Sequence, residues 1–118
     1  TNLRFICLQY GNVKNEIQSF NKKIDNELIE LEKLDIYNDF DGLSAVLKNL
    51  DLFITVSNST AHLAGALGVK TFLIKPTNHA VFHYWDQPNN KTPWYSSITL
   101  FKRNEFLEMK GKVFEELG

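Results

Sequence analysis

The sequence predicts an α/β domain built on a short parallel β-sheet with helices over its faces. Three observations carry this. Between Asp51 and Lys75, two apolar runs flank a small polar turn, Ser57-Asn58-Ser59-Thr60, and a short Ala/Gly-rich stretch, which together spell one βαβ unit. Both runs, ending at Val56 and Ile74, are apolar at successive positions instead of alternating, as strands buried on both faces are. Nearer the start, another apolar run followed by helically spaced apolar residues repeats the strand-then-helix order.

The elements follow in order. Leu3 to Gln9 reads as a strand ending in the turn Tyr10-Gly11-Asn12, and Val13 to Lys23 carries apolar residues at helical spacing. Glu27 to Leu31 is a short, charge-flanked candidate strand, followed by a polar stretch from Glu32 to Asp41. A helix is expected from Gly42 to Leu50, because Leu43, Val46, Leu47 and Leu50 fall on one face and Asp41 stands where an N-cap belongs. The βαβ unit comes next, its second strand stopping at Lys75-Pro76. From Thr77 to Ser97 the chain has no clear period but is dense in aromatic and turn residues, which points to an ordered loop. Ile98 to Phe101 is a last short strand, and Asn104 to Leu117 a closing amphipathic helix.

Composition narrows the function classes. The chain has 118 residues, 43% of them hydrophobic, which suits one soluble globular unit with a small core. Thirteen Lys plus Arg against fourteen Asp plus Glu leave a net charge of −1, so sequence-independent binding to nucleic acid or an anionic membrane has no electrostatic basis. No apolar stretch reaches the roughly 20 residues that span a bilayer. The lone Cys7 lies in an apolar run and reads as a small buried hydrophobe; a cytoplasmic setting is expected. The Asn58-Ser-Thr60 and Asn90-Lys-Thr92 acceptor triplets read as chance. The chain opens at Thr1 and enters its first strand almost at once, so it is expected to be part of something longer.

The turn before the central helix is the candidate site. Unpaired backbone N–H groups and the positive end of the helix dipole favour an anion there, with Ser57, Asn58, Ser59 and Thr60 lining the turn and His62 on the first helical turn. An ordinary Ser/Thr N-cap explains the same residues without a ligand. Gln9 and Tyr10 stand at the carboxyl end of the first strand, where a doubly wound sheet presents its ligand side; a plain turn at Gly11 is the alternative. Asp39-Phe-Asp41 spells a metal-binding Asp-x-Asp but precedes a helix and reads as capping. His79 and His83 have chelating spacing without a third ligand. Trp85, Trp94 and Tyr95 could stack on a base or sugar, but anchoring of the loop is the favoured role for the Trp pair.

Ile54-Thr-Val-Ser-Asn-Ser-Thr-Ala-His-Leu-Ala-Gly-Ala-Leu-Gly68, the strand ending at Pro76, Pro93-Trp-Tyr-Ser96 and Leu100-Phe101 together resemble the GT-B glycosyltransferases. More narrowly, they resemble the heptosyltransferase-like domain at the C-terminus of many bacterial tetratricopeptide-repeat proteins. Leu8-Gln-Tyr-Gly11 and the Asp41-to-Leu50 helix match the same family in the same order, so the resemblance covers nearly the whole chain.

The resemblance implies a three-layer Rossmann-like parallel sheet over residues 1–118, the donor half of a two-domain, metal-independent enzyme. That half binds a nucleotide sugar, needs no cofactor, and supports transfer of the sugar to an acceptor hydroxyl. Ser59 and Thr60 would then offer N–H and hydroxyl donors to the diphosphate, His62 would lie beside the donor, and Gly65 with the alanines would allow close helix-to-sheet packing. Many relatives carry Asp at the position of Ser57. The acceptor domain, with its base, and one further strand and helix of the donor domain are expected outside this sequence. That strand normally sits between the strands matching Leu3-to-Gln9 and Leu52-to-Val56. Direct pairing across the gap, self-association, or instability of the isolated chain is therefore expected. The alternatives to a transferase part are a non-catalytic nucleotide or nucleotide-sugar module and an interaction domain that has lost the ligand.

Overall fold

A computed structural model describes residues 4–8, 28–30, 38–75 and 90–117. The chain divides into two compact units, Thr1–Leu43 and Ser44–Gly118. In the first, β1 (Phe5–Cys7) and β2 (Leu28–Glu30) pair in parallel, Ile6 opposite Ile29. Both predicted strands are present but short. Phe5 and Ile6 are exposed and Cys7 is half-buried, not enclosed as its apolar neighbours suggested: among the described residues its sheet has two strands, which offer little interior.

Helix α1 (Phe40–Lys48) straddles the boundary of the two units. Its N-cap is Asp39, not Asp41: the Asp39 Oδ1 accepts from the Gly42 N–H at 2.8 Å, the bond a capping carboxylate makes to the third helical residue. Asp41 lies within the first turn, where its charge complements the dipole. Leu43 and Leu47 are the buried residues of the expected apolar stripe.

The second unit holds the βαβ motif. β3 (Phe53–Val56), α2 (Ser59–Ala66) and β4 (Thr71–Ile74) run as predicted, and β5 (Ile98–Phe101) completes a three-stranded parallel sheet of order β3-β4-β5. Phe53 stands opposite Thr71, and Thr71 opposite Ile98. Successive residues of β4 point to opposite faces, so Phe72 and Leu73 serve different cores. On one face Leu73, Ile98 and Leu100 pack with Ala61 of α2. On the other, Phe72 and Phe101 meet edge to face, ring centroids 5.1 Å apart, under Met109 and Val113 of α3 (Phe106–Leu117). A helix therefore covers each face of this α/β sheet, the coarse architecture that the sequence predicts.

Two details differ from expectation. Of the apolar residues in β3 only Phe53 is buried; Ile54 and Val56 are 42% and 53% exposed. β3 is the edge of its sheet among the described residues, and the side chains of α3 gather over Phe72 and Phe101. The closing helix starts at Phe106, after a 3₁₀ turn over Arg103–Glu105 in which the Glu105 Oε1 accepts from the Lys102 N–H at 2.8 Å. No helix among the described residues is long and apolar enough to cross a membrane.

Candidate functional site

The carboxyl end of β3 runs straight into the first turn of α2, and the turn between them is held by its own side chains. Asn58, with extended backbone (φ −162°, ψ 177°), caps the helix: its Oδ1 accepts from the Ala61 N–H at 2.9 Å. Its Nδ2 donates back to the Thr55 Oγ1 at 3.3 Å, and that hydroxyl donates to the Val56 carbonyl at 3.1 Å. The cap is thus locked to the last residues of the strand, which fixes the direction in which the first helical N–H groups point.

The far end of α2 is equally well defined. The Val69 N–H reaches the Ala64 carbonyl at 3.0 Å and the Gly68 N–H the Gly65 carbonyl at 3.1 Å, a Schellman motif. Gly68 supplies the left-handed residue it requires, at φ 72°. A short helix closed at both ends keeps its dipole aligned with the turn.

Electrostatics separate the two helix starts. α1 opens with the carboxylates of Asp39 and Asp41 over its N–H groups. α2 has an uncharged cap and no acidic residue in its first turn. Its positive end is therefore not neutralised by carboxylates of its own first turn, so an anion from outside gains the dipole term, about 0.3–1 kcal/mol at an exposed helix start.

The predicted residues fall as follows. Ser57 and Asn58 are half-buried in the turn, Ser59 is exposed at the first helical position, and Thr60 is buried, its side chain belonging to the interior. His62 is half-buried on the same turn of α2. Gln9 and Tyr10 lie outside the described residues, as do His79, His83 and Trp85.

One contact of the site is not legible in the sequence, which offers Tyr95 only as a ring that could stack on a base or sugar. Tyr95, in the segment leading to β5, reaches His62: its hydroxyl is 3.0 Å from the His62 Nδ1, and the rings meet edge to face at 5.7 Å. Gly65 makes this possible. A Cβ there would lie 2.5 Å from the Tyr95 Cγ, so this glycine opens the helix surface to an aromatic ring, and the expected helix-to-sheet role belongs to Ala61 and Ala64, both fully buried. Tyr95 anchors the segment before β5 by packing against the Ala61 core, and Trp94 is 47% exposed. The visible trace of this pairing was the spacing of His62 and Gly65, three apart and hence on one helix face.

Among proteins of known sequence, the chain is similar to Protein FlbA of Caulobacter vibrioides (strain ATCC 19089 / CIP 103742 / CB 15), 30% identical over 103 residues. The match takes in 86% of this chain and 16% of that protein, so the chain spans only a small part of its relative's length. No family model matches the chain, and no solved structure gives a significant match.

Proposed function

We propose that this chain is the donor-binding part of a GT-B, metal-independent glycosyltransferase and takes the diphosphate of a nucleotide sugar at the start of α2. The observation that carries this is the turn itself: a rigid, uncharged Asn58 cap at the carboxyl end of a parallel strand, with no acidic residue in the helical turn it opens. Open α/β sheets bind ligands beyond the carboxyl ends of their strands, and helix starts of this kind favour phosphate. The likeness of residues 54–68 and 93–101 to the heptosyltransferase-like family agrees with the same placement.

In this reading, backbone N–H groups at Ser59 and Thr60 and the exposed Ser59 hydroxyl hold the diphosphate, with His62 beside it. Charge builds on the diphosphate as the sugar leaves, so the aligned N–H groups stabilise the transition state without reorganising. Holding the donor in place supplies the rest of this chain's share. The acceptor hydroxyl and its base are assigned to a partner domain of a longer cytoplasmic protein, so the chain by itself binds without turnover.

Calorimetric titration with ADP, GDP and UDP tests this. One diphosphate should bind saturably, and Ser59→Ala and His62→Ala should each weaken it about tenfold, the worth of a hydrogen bond to a charged group. Binding of none of the three to the folded chain would overturn the assignment.

A further inference from the structure

Tyr95 is held more firmly than a loop residue needs to be. Its ring is seated in the space left by Gly65, it packs on the cluster of Ala61, Leu73, Ile98 and Leu100, and its carbonyl accepts from the Ile98 N–H at 3.2 Å where β5 begins. From that seat its hydroxyl meets one particular nitrogen of His62, Nδ1, at 3.0 Å. Neutral imidazole has one donor and one acceptor nitrogen, and the bond made by one decides the role of the other.

We propose that Tyr95 is a positioning residue for His62. Its phenolic O–H donates to Nδ1 and so fixes the tautomer that carries the proton on Nε2. His62 then offers a hydrogen-bond donor to an anionic oxygen while still neutral, whereas the opposite tautomer would set a nitrogen lone pair against that oxygen. The phenol is the natural donor of the pair, since it is more acidic than an imidazole N–H and the imidazole nitrogen is the better base. The logic is that of a metal-bound histidine oriented from its rear nitrogen, applied to a phosphate ligand. The ligand half of this proposal rests on the diphosphate-binding reading above.

The test reads the hydrogen bond and the ligand separately. Nitrogen-15 spectra of the neutral imidazoles in the free chain should show His62 protonated on Nε2 with Nδ1 as acceptor. Tyr95→Phe keeps the ring against Gly65 and removes only the hydroxyl; it should shift His62 toward a mixture of tautomers. It should also weaken the diphosphate that binds best among ADP, GDP and UDP about fivefold, as expected for one net hydrogen bond. In a His62→Gln background, where the amide supplies a donor that needs no tautomer, Tyr95→Phe should leave affinity unchanged. A proton on Nδ1 in the wild-type chain, or a tautomer indifferent to Tyr95→Phe, overturns the proposal. A wild-type chain with the expected tautomer but no affinity for any diphosphate instead overturns the ligand reading and the role of the pair in it.

Discussion

Replacing Gly65 by alanine tests the contact on which the candidate site's geometry turns. Alanine within a helix normally gains up to about 1 kcal/mol over glycine. Here the added Cβ would stand 2.5, 2.6 and 2.9 Å from the Cγ, Cδ1 and Cδ2 of Tyr95, well inside the roughly 3.5 Å at which carbon atoms pack. The ring must retreat by about 1 Å, which breaks its hydrogen bond to His62. Overpacking of this kind costs about 1–3 kcal/mol, and the lost bond about 1 kcal/mol more. With the propensity gain set against these, Gly65→Ala should destabilise the chain by about 1–3 kcal/mol, read from urea unfolding midpoints at constant slope. Gly111 in α3 is the internal control: a Cβ there meets nothing within 4 Å, so Gly111→Ala should stabilise by about 0.5–1 kcal/mol. In a Tyr95→Ala background the penalty at Gly65 should vanish. A Gly65→Ala chain as stable as Gly111→Ala, or a penalty that survives removal of Tyr95, would show that the ring does not occupy the space beside Gly65.

Other perturbations separate stability from binding. Gly68→Ala should cost about 1–2 kcal/mol in thermal or urea unfolding, because residue 68 sits at φ 72° in the Schellman turn, and Gly68→Asn should cost less. Asn58→Ala should lose about 1 kcal/mol with the cap. Asn58→Asp should hold or raise stability, by about 0.3–1 kcal/mol, yet weaken diphosphate binding by placing a carboxylate over the helix start; equal losses in both would contradict the electrostatic argument. The Lys70–Glu116 pair, 2.7 Å apart and with both side chains partly exposed, should contribute no more than about 1 kcal/mol, so Glu116→Gln should be nearly silent and its small effect should fade in added salt.

What was legible in the sequence was local. The apolar runs, the Ser/Asn turn and the Ala/Gly-rich stretch spelled the βαβ unit because each depends on neighbours within one or two turns of chain, and β4 and β5 followed from short apolar stretches. Which of two nearby acids caps α1 was not legible: Asp39 and Asp41 both suit a helix start, and the choice rests on where Phe40 enters the helix. The exposure of Ile54 and Val56 depends on which strands neighbour β3, a property of topology that an apolar run does not encode. The Tyr95–His62 bond joins residues 33 apart in sequence, and no periodicity reports such a pairing. Gly65 marked the spot, but a glycine in a helix facing a sheet and one facing an aromatic ring look alike in sequence.

We propose that the start of α2 takes a nucleotide diphosphate. Backbone amide spectra recorded while ADP, GDP or UDP is added to the chain test it most directly, because they report both affinity and place. We expect one nucleotide to give saturable shifts that are largest at Ser59, Thr60 and Ala61, with His62 following. Shifts that are absent at saturating nucleotide, or that gather elsewhere in the chain, would contradict the assignment.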